Sequence, residues 1–82
     1  MTKLLLVGCG NLGQNIISGF YKKNKRILIC DENKNLLKKI SKNYQNFFEV
    51  SENIKNVSIE NIKYILLCIK PQQSLEILKI IS

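Results

Sequence analysis

The stretch Leu4-Leu5-Leu6-Val7-Gly8-Cys9-Gly10-Asn11-Leu12-Gly13 restricts the possible folds more than any other part of the chain. An apolar run of strand length meets three glycines within six positions, and Leu12, Ile16, Ile17 and Phe20 then fall on one helical face. A strand that passes into a helix through G-x-G-x-x-G is the phosphate-binding arrangement of a dinucleotide-binding βαβ unit. In that arrangement Gly8 makes the tight turn, Gly10 lets the backbone approach a pyrophosphate, and Gly13 lets the helix pack closely on the sheet. The phosphates meet N–H groups that the first helical turn leaves unpaired, helped by the helix dipole. Three glycines at these spacings also arise by chance, and the alternative is a purely structural turn. The strand before and the helix after favour the dinucleotide.

The rest of the chain alternates in the same way. Strand-length apolar runs lie at Lys3 to Val7, Arg26 to Cys30 and Lys63 to Ile69, with a weaker one at Phe47 to Val50. Leu36, Leu37 and Ile40 share a helical face, as do Leu75, Leu78 and Ile81, while Ser51 to Asn61 holds a short helix or only a loop. Right-handed crossovers then give an α/β fold: a partial Rossmann-type doubly wound parallel sheet of about four strands in the order 3-2-1-4, helices on both faces. Ligands of such sheets bind where the chain reverses direction, between strands 1 and 4. An acidic residue is expected about 20 positions beyond the glycines to hold the adenosine ribose, and Asp31 closes the second strand at that place. The other reading of Asp31 is a loop or N-cap aspartate ahead of a helix beginning near Asn35.

Composition sets limits on partners and compartment. A chain of 82 residues is one domain or part of one. Its net charge of +7 invites a polyphosphate partner, but the lysines are scattered and no aromatic residues interleave with them, so no nucleic acid is expected. Lys22, Lys23, Lys25 and Arg26 read as a solvated cluster matched to a helix C-terminus, and Lys38, Lys39 and Lys42 read the same way. Cys9, Cys30 and Cys68 are widely spaced, and with no histidine to complete a zinc site no metal is expected. They read as small buried hydrophobes in a reducing cytosol. The first apolar run is too short for a secretory signal, and Tyr64 to Ile69 is far short of a membrane span. A soluble, cytoplasmic protein with no membrane partner is expected.

Two motifs together resemble the pyrroline-5-carboxylate reductase family. The run from Val7 to Phe20, VGCGNLGQNIISGF, is similar to the family's opening strand, G-x-G-N-M-G and A-I-I-x-G-L; Ile65 to Gln72, ILLCIKPQ, is similar to its I-L-A-V-K-P-Q. Ser51-Glu52-Asn53 resembles the family's T-D-N, and the resemblance spans essentially the whole chain. It implies that Val7, Gly8, Cys9, Gly10, Asn11 and Leu12 wrap the cofactor pyrophosphate and that Asn53 lies near the adenosine half. It also implies that Cys68, Ile69, Lys70 and Pro71 run beside the nicotinamide ribose. Taken without the resemblance, Asn53 is a helix cap, Lys70 a solvent charge and Pro71 a first helical residue.

The same resemblance implies NAD(P)H-dependent reduction of 1-pyrroline-5-carboxylate to L-proline, with this chain supplying only the cofactor-binding part. The expected domain is the N-terminal dinucleotide-binding one, incomplete, without the C-terminal helical domain that makes relatives homo-oligomeric and builds the substrate pocket. Such a chain is expected to have no turnover and an aggregation-prone edge at its fourth strand. Leu12 replaces the usual Met at little cost, whereas Cys30-Asp31-Glu32-Asn33 stands where many members carry residues that receive the 2′-phosphate of NADPH. The carboxylates of Asp31 and Glu32 repel that phosphate, which gives a lean toward NADH, although Lys34 offsets part of the repulsion. The rival readings are a stand-alone dinucleotide-binding module without catalysis, and a prephenate- or hydroxyisobutyrate-dehydrogenase-like domain, against which Lys70-Pro71-Gln72 argues. DNA downstream of the last codon discriminates between the reductase and the module.

Overall fold

Leu5, Leu6 and Val7 carry apolar side chains on both sides of one strand, so that strand has to lie between two others and between two layers. The computed structural model, which describes residues 4–58, 60–69 and 78–80, places it there. Strand β1 (Leu4–Val7) leads to helix α1 (Asn11–Lys22), strand β2 (Leu28–Cys30), helix α2 (Lys34–Asn43), strand β3 (Glu49–Ser51), a single 3-10 turn (Ile54–Asn56) and strand β4 (Tyr64–Leu67). The sheet order is β3-β2-β1-β4 and every pairing is parallel. Leu5 stands opposite Leu28 on one side and Ile65 on the other, and Ile29 stands opposite Val50. This is the α/β doubly wound arrangement with the 3-2-1-4 order that the alternation of runs requires.

The period of two along the strands divides the core into two layers. Leu6 and Ile29 face α1 and α2, where Ile17, Leu37, Ile40 and Phe48 complete one cluster. Leu5, Val7 and Cys30 face the other way, against Ile54 of the 3-10 turn, with Val57 and Ile62 packed beside it. Both α-helices thus lie on one face, and the described cover of the opposite face is the segment around Ile54.

Element ends differ from the sequence expectation in ways that have causes. Phe47 and Phe48 were expected to start the third strand, but Phe48 is drawn under the sheet into the helical layer and β3 begins at Glu49. Tyr21 and Tyr44 sit with these phenylalanines, ring centroids 4.8 Å apart for the tyrosine pair and 5.0 Å for Phe47–Phe48. The Arg26 guanidinium lies 4.6 Å from the Phe47 ring centroid and donates to the Phe47 carbonyl at 3.0 Å, which holds Arg26 ahead of β2. Residues 78–80 are helical, while Leu75 and Ile81 of the expected last helix lie outside the described residues. No helix among the described residues is long and apolar enough to cross a membrane.

Candidate functional site

The carboxyl ends of β1 and β2 and the loop after β3 enclose a cleft of about 680 Å³. Val7, Gly8, Asp31, Asn53 and Ile69, all expected from the sequence to bind cofactor, line it together with Cys30, Glu32, Lys34, Glu52, Ile54 and Lys55. Gly10, Asn11 and Leu12 are exposed at the start of α1, whereas Cys9 and Gly13 are buried beneath them. Cys68 is half-buried, packed against the helical core layer. Lys70 and Pro71 lie outside the described residues.

The three glycines have three different causes. Gly8 has φ +94°, and a Cβ there would overlap Ile69 and stand 2.6 Å from the Cys68 carbonyl oxygen. The chain leaving β4 crosses directly over it, held by the Cys68 N–H donating to the Val7 carbonyl at 2.8 Å. A Cβ on Gly13 would stand 2.7 Å from the Gly8 carbonyl oxygen, so the close approach is between helix and glycine loop and not between helix and sheet, as first expected. Gly10 is constrained by nothing in the protein. Its backbone is extended, open to any residue, and a Cβ would meet no atom within 4 Å.

Gly10 is also the N-cap of α1 and offers no side chain to cap it. The first bond of the helical ladder runs from the Gln14 N–H to the Gly10 carbonyl at 2.8 Å, so the N–H groups of Asn11, Leu12 and Gly13 precede the ladder. Helix α2 is finished differently: the Asn33 side chain accepts from the Leu36 N–H at 3.1 Å. An uncapped helix start with an open surface before it, at the carboxyl end of a central parallel strand, suits an anionic group.

Asp31 stands where the ribose-binding acid of the fingerprint belongs, and its carboxylate already accepts two main-chain bonds: Cys9 N–H to Oδ2 and Asn33 N–H to Oδ1, each 2.8 Å. It does not cap α2, a role that Asn33 fills. Asn53 lines the cleft and caps as well, its side-chain oxygen accepting from the Lys55 N–H at 3.0 Å. Across the rim Lys34 Nζ lies 3.4 Å from Glu52 Oε2, so the cation expected to offset Asp31 and Glu32 is paired with Glu52. Gln14 was missed from the sequence. Its Nε2 donates to the Cys9 carbonyl at 3.1 Å, and the signal was its place one residue after the last loop glycine.

All three thiols are held toward the neutral form. Burial, then the neighbouring Asp31 carboxylate, pushes Cys9 up to about 12. Cys30 is raised by burial and then by Asp31 and Glu32, and Cys68 is raised by burial. No group of three or more metal-ligating side chains occurs among the described residues. No curated protein and no solved structure matches the chain. The family model described as NADP oxidoreductase, coenzyme F420-dependent, matches residues 3–82, and its domain type is found at the N-terminus of pyrroline-5-carboxylate reductases. With residues 3–82 of the chain matched, on a parallel sheet that turns into α1 through an uncapped glycine loop, the chain belongs to the family described as NADP oxidoreductase, coenzyme F420-dependent.

Proposed function

We propose that the chain binds a nicotinamide dinucleotide, NADH ahead of NADPH, and serves as the cofactor-holding part of a pyrroline-5-carboxylate reductase. The observation that carries this reading is the open space at Gly10: the protein itself requires glycine at Gly8 and Gly13, so what remains for Gly10 to accommodate is a ligand. The pyrophosphate fits over Gly10 and accepts from the N–H groups of Asn11, Leu12 and Gly13. The adenosine half fits the cleft between Asp31 and Asn53, and Ile69 flanks the other half.

A bound dihydronicotinamide supplies the hydride that reduces the carbon of a C=N bond. The chain's own residues hold it and exclude water: Ile69 and Val7 give the cleft apolar walls, and Leu12, 65% exposed, offers an apolar surface at the loop. The proton donor for the imine nitrogen and the cation for the substrate carboxylate belong, in this proposal, to a separate helical domain. The choice of NADH follows from the rim, where Asp31, Glu32 and Glu52 outnumber Lys34 and Lys55. A dianionic 2′-phosphate there meets like charge, while a 2′-hydroxyl finds acceptors.

Titration of the protein with NADH and NADPH, followed by calorimetry and by amide shifts, tests the reading. NADH is expected to bind at least tenfold more tightly, a difference of about 1.4 kcal/mol, with the largest shifts at Gly10, Asn11 and Leu12. Binding of neither dinucleotide, or shifts that avoid this turn, would overturn the site; tighter NADPH binding would overturn the cofactor preference. The isolated chain is expected to leave NADH unoxidised in the presence of pyrroline-5-carboxylate. Turnover would show that the substrate groups lie within these residues.

A further inference from the structure

The ribose-binding role leaves a feature of Asp31 unexplained: both carboxylate oxygens accept main-chain N–H groups from two different loops. Cys9 is buried, and its N–H finds its partner in the Asp31 carboxylate. On the other side of the same residue the Cys9 carbonyl accepts from Gln14. The peptide units flanking Cys9 are therefore fixed from both sides, immediately before the Gly10 turn whose amides face the open surface. The Asp31 N–H donates to the Ser51 carbonyl at 3.1 Å, and Gly8 N–H to the Cys30 carbonyl at 2.9 Å, so the glycine loop is tied through residue 31 to the end of β3.

We infer that Asp31 is a positioning residue for the glycine loop, holding the Cys9 amide so that the Gly10–Leu12 turn is preorganised for a diphosphate, in addition to any contact it makes with a ribose. This rests on the dinucleotide reading proposed above. A carboxylate has lone pairs for four bonds and uses two here, which leaves one direction on each oxygen for sugar hydroxyls. An alanine has no side-chain acceptor and leaves both amides without this partner, whereas an asparagine keeps one oxygen that can still meet the buried Cys9 amide. The two roles predict opposite responses to a ligand with no sugar. If Asp31 only met the ribose, removing its charge would leave inorganic pyrophosphate binding unchanged or tighten it, because a like charge is taken away.

Asp31→Ala is therefore expected to weaken inorganic pyrophosphate about fivefold or more despite the relieved repulsion, read from the Gly10, Asn11 and Leu12 amide shifts. Unchanged or tighter pyrophosphate binding by the variant overturns the inference. A second measurement needs no ligand: hydrogen exchange at the Cys9 amide is expected to be at least tenfold faster in Asp31→Ala, with Ile29 unaffected, and equal Cys9 rates overturn the inference. Should Asp31→Ala not fold, Asp31→Ser, whose side chain is shorter and uncharged, is expected to behave in the same way. If wild-type protein bound neither pyrophosphate nor NADH while Cys9 exchange still responded, the dinucleotide reading would fall and the anchoring role would stand.

Discussion

At Gly8 the backbone is left-handed and the Cys68 carbonyl is too near for a side chain; at Gly10 neither condition holds. A single methyl group therefore separates structure from function. Gly8→Ala is expected to cost about 3 kcal/mol, since strain and overlap coincide. Gly13→Ala costs about 1–2 kcal/mol as helix and loop move apart. Gly10→Ala changes stability by less than about 1 kcal/mol, since the poorer N-cap offsets the lower entropy of the unfolded chain, yet loses at least tenfold in NADH affinity; denaturant midpoints and calorimetry on the three variants check this ordering. Cys9 gives a pH signature. Because its folded value is raised from 9.0 to about 12, the fold prefers the neutral thiol, and that contribution is intact below pH 9 and lost as pH climbs toward 12. The urea midpoint is expected to fall between pH 8 and pH 10.5, and to fall less in Cys9→Ala.

Both helices stop by the same device, and neither uses glycine. After α1 the Asn24 N–H donates to the Tyr21 carbonyl and Lys25 N–H to Phe20; after α2 Gln45 N–H donates to Lys42 and Asn46 N–H to Ser41. These are Schellman pairs, with Asn24 at φ 57° and Gln45 at φ 53° in the left-handed position. Asn tolerates that position and Gln does so at a cost. Gln45→Gly is expected to stabilise the protein by about 0.5–1 kcal/mol, raising the melting temperature by roughly 2–8 °C, and circular dichroism melts measure it. The same ends explain where reading from sequence succeeds. β1, the glycine loop and α1 were legible because a continuous apolar run, three glycines and a helical stripe agree over one short stretch. The helix stops carry no glycine, and the aromatic group of Tyr21, Tyr44, Phe47 and Phe48 assembles from separate elements, so Phe47 and Phe48 passed for strand. The position of Asp31 was legible from its spacing, but its bond to Cys9 spans 22 residues and leaves no local trace.

Among the described residues β4 has a strand on one side only, and it is not protected as an edge usually is. Tyr64 is 65% and Leu66 37% exposed, whereas the opposite edge, β3, opens with Glu49. Leu66→Lys is expected to reduce concentration-dependent self-association without loss of fold, checked by sedimentation velocity across a tenfold concentration range; a wild-type chain that stays monomeric throughout would sink this expectation. The sheet order has a further consequence, for the time course of synthesis. β1 leaves the ribosome first and can close with β2 and β3 soon afterwards, but Leu5 must wait for Ile65 before its other flank is covered. A nascent chain in which β1, β2 and β3 have paired would carry its most apolar strand as a temporary border, open to association until β4 closes on it.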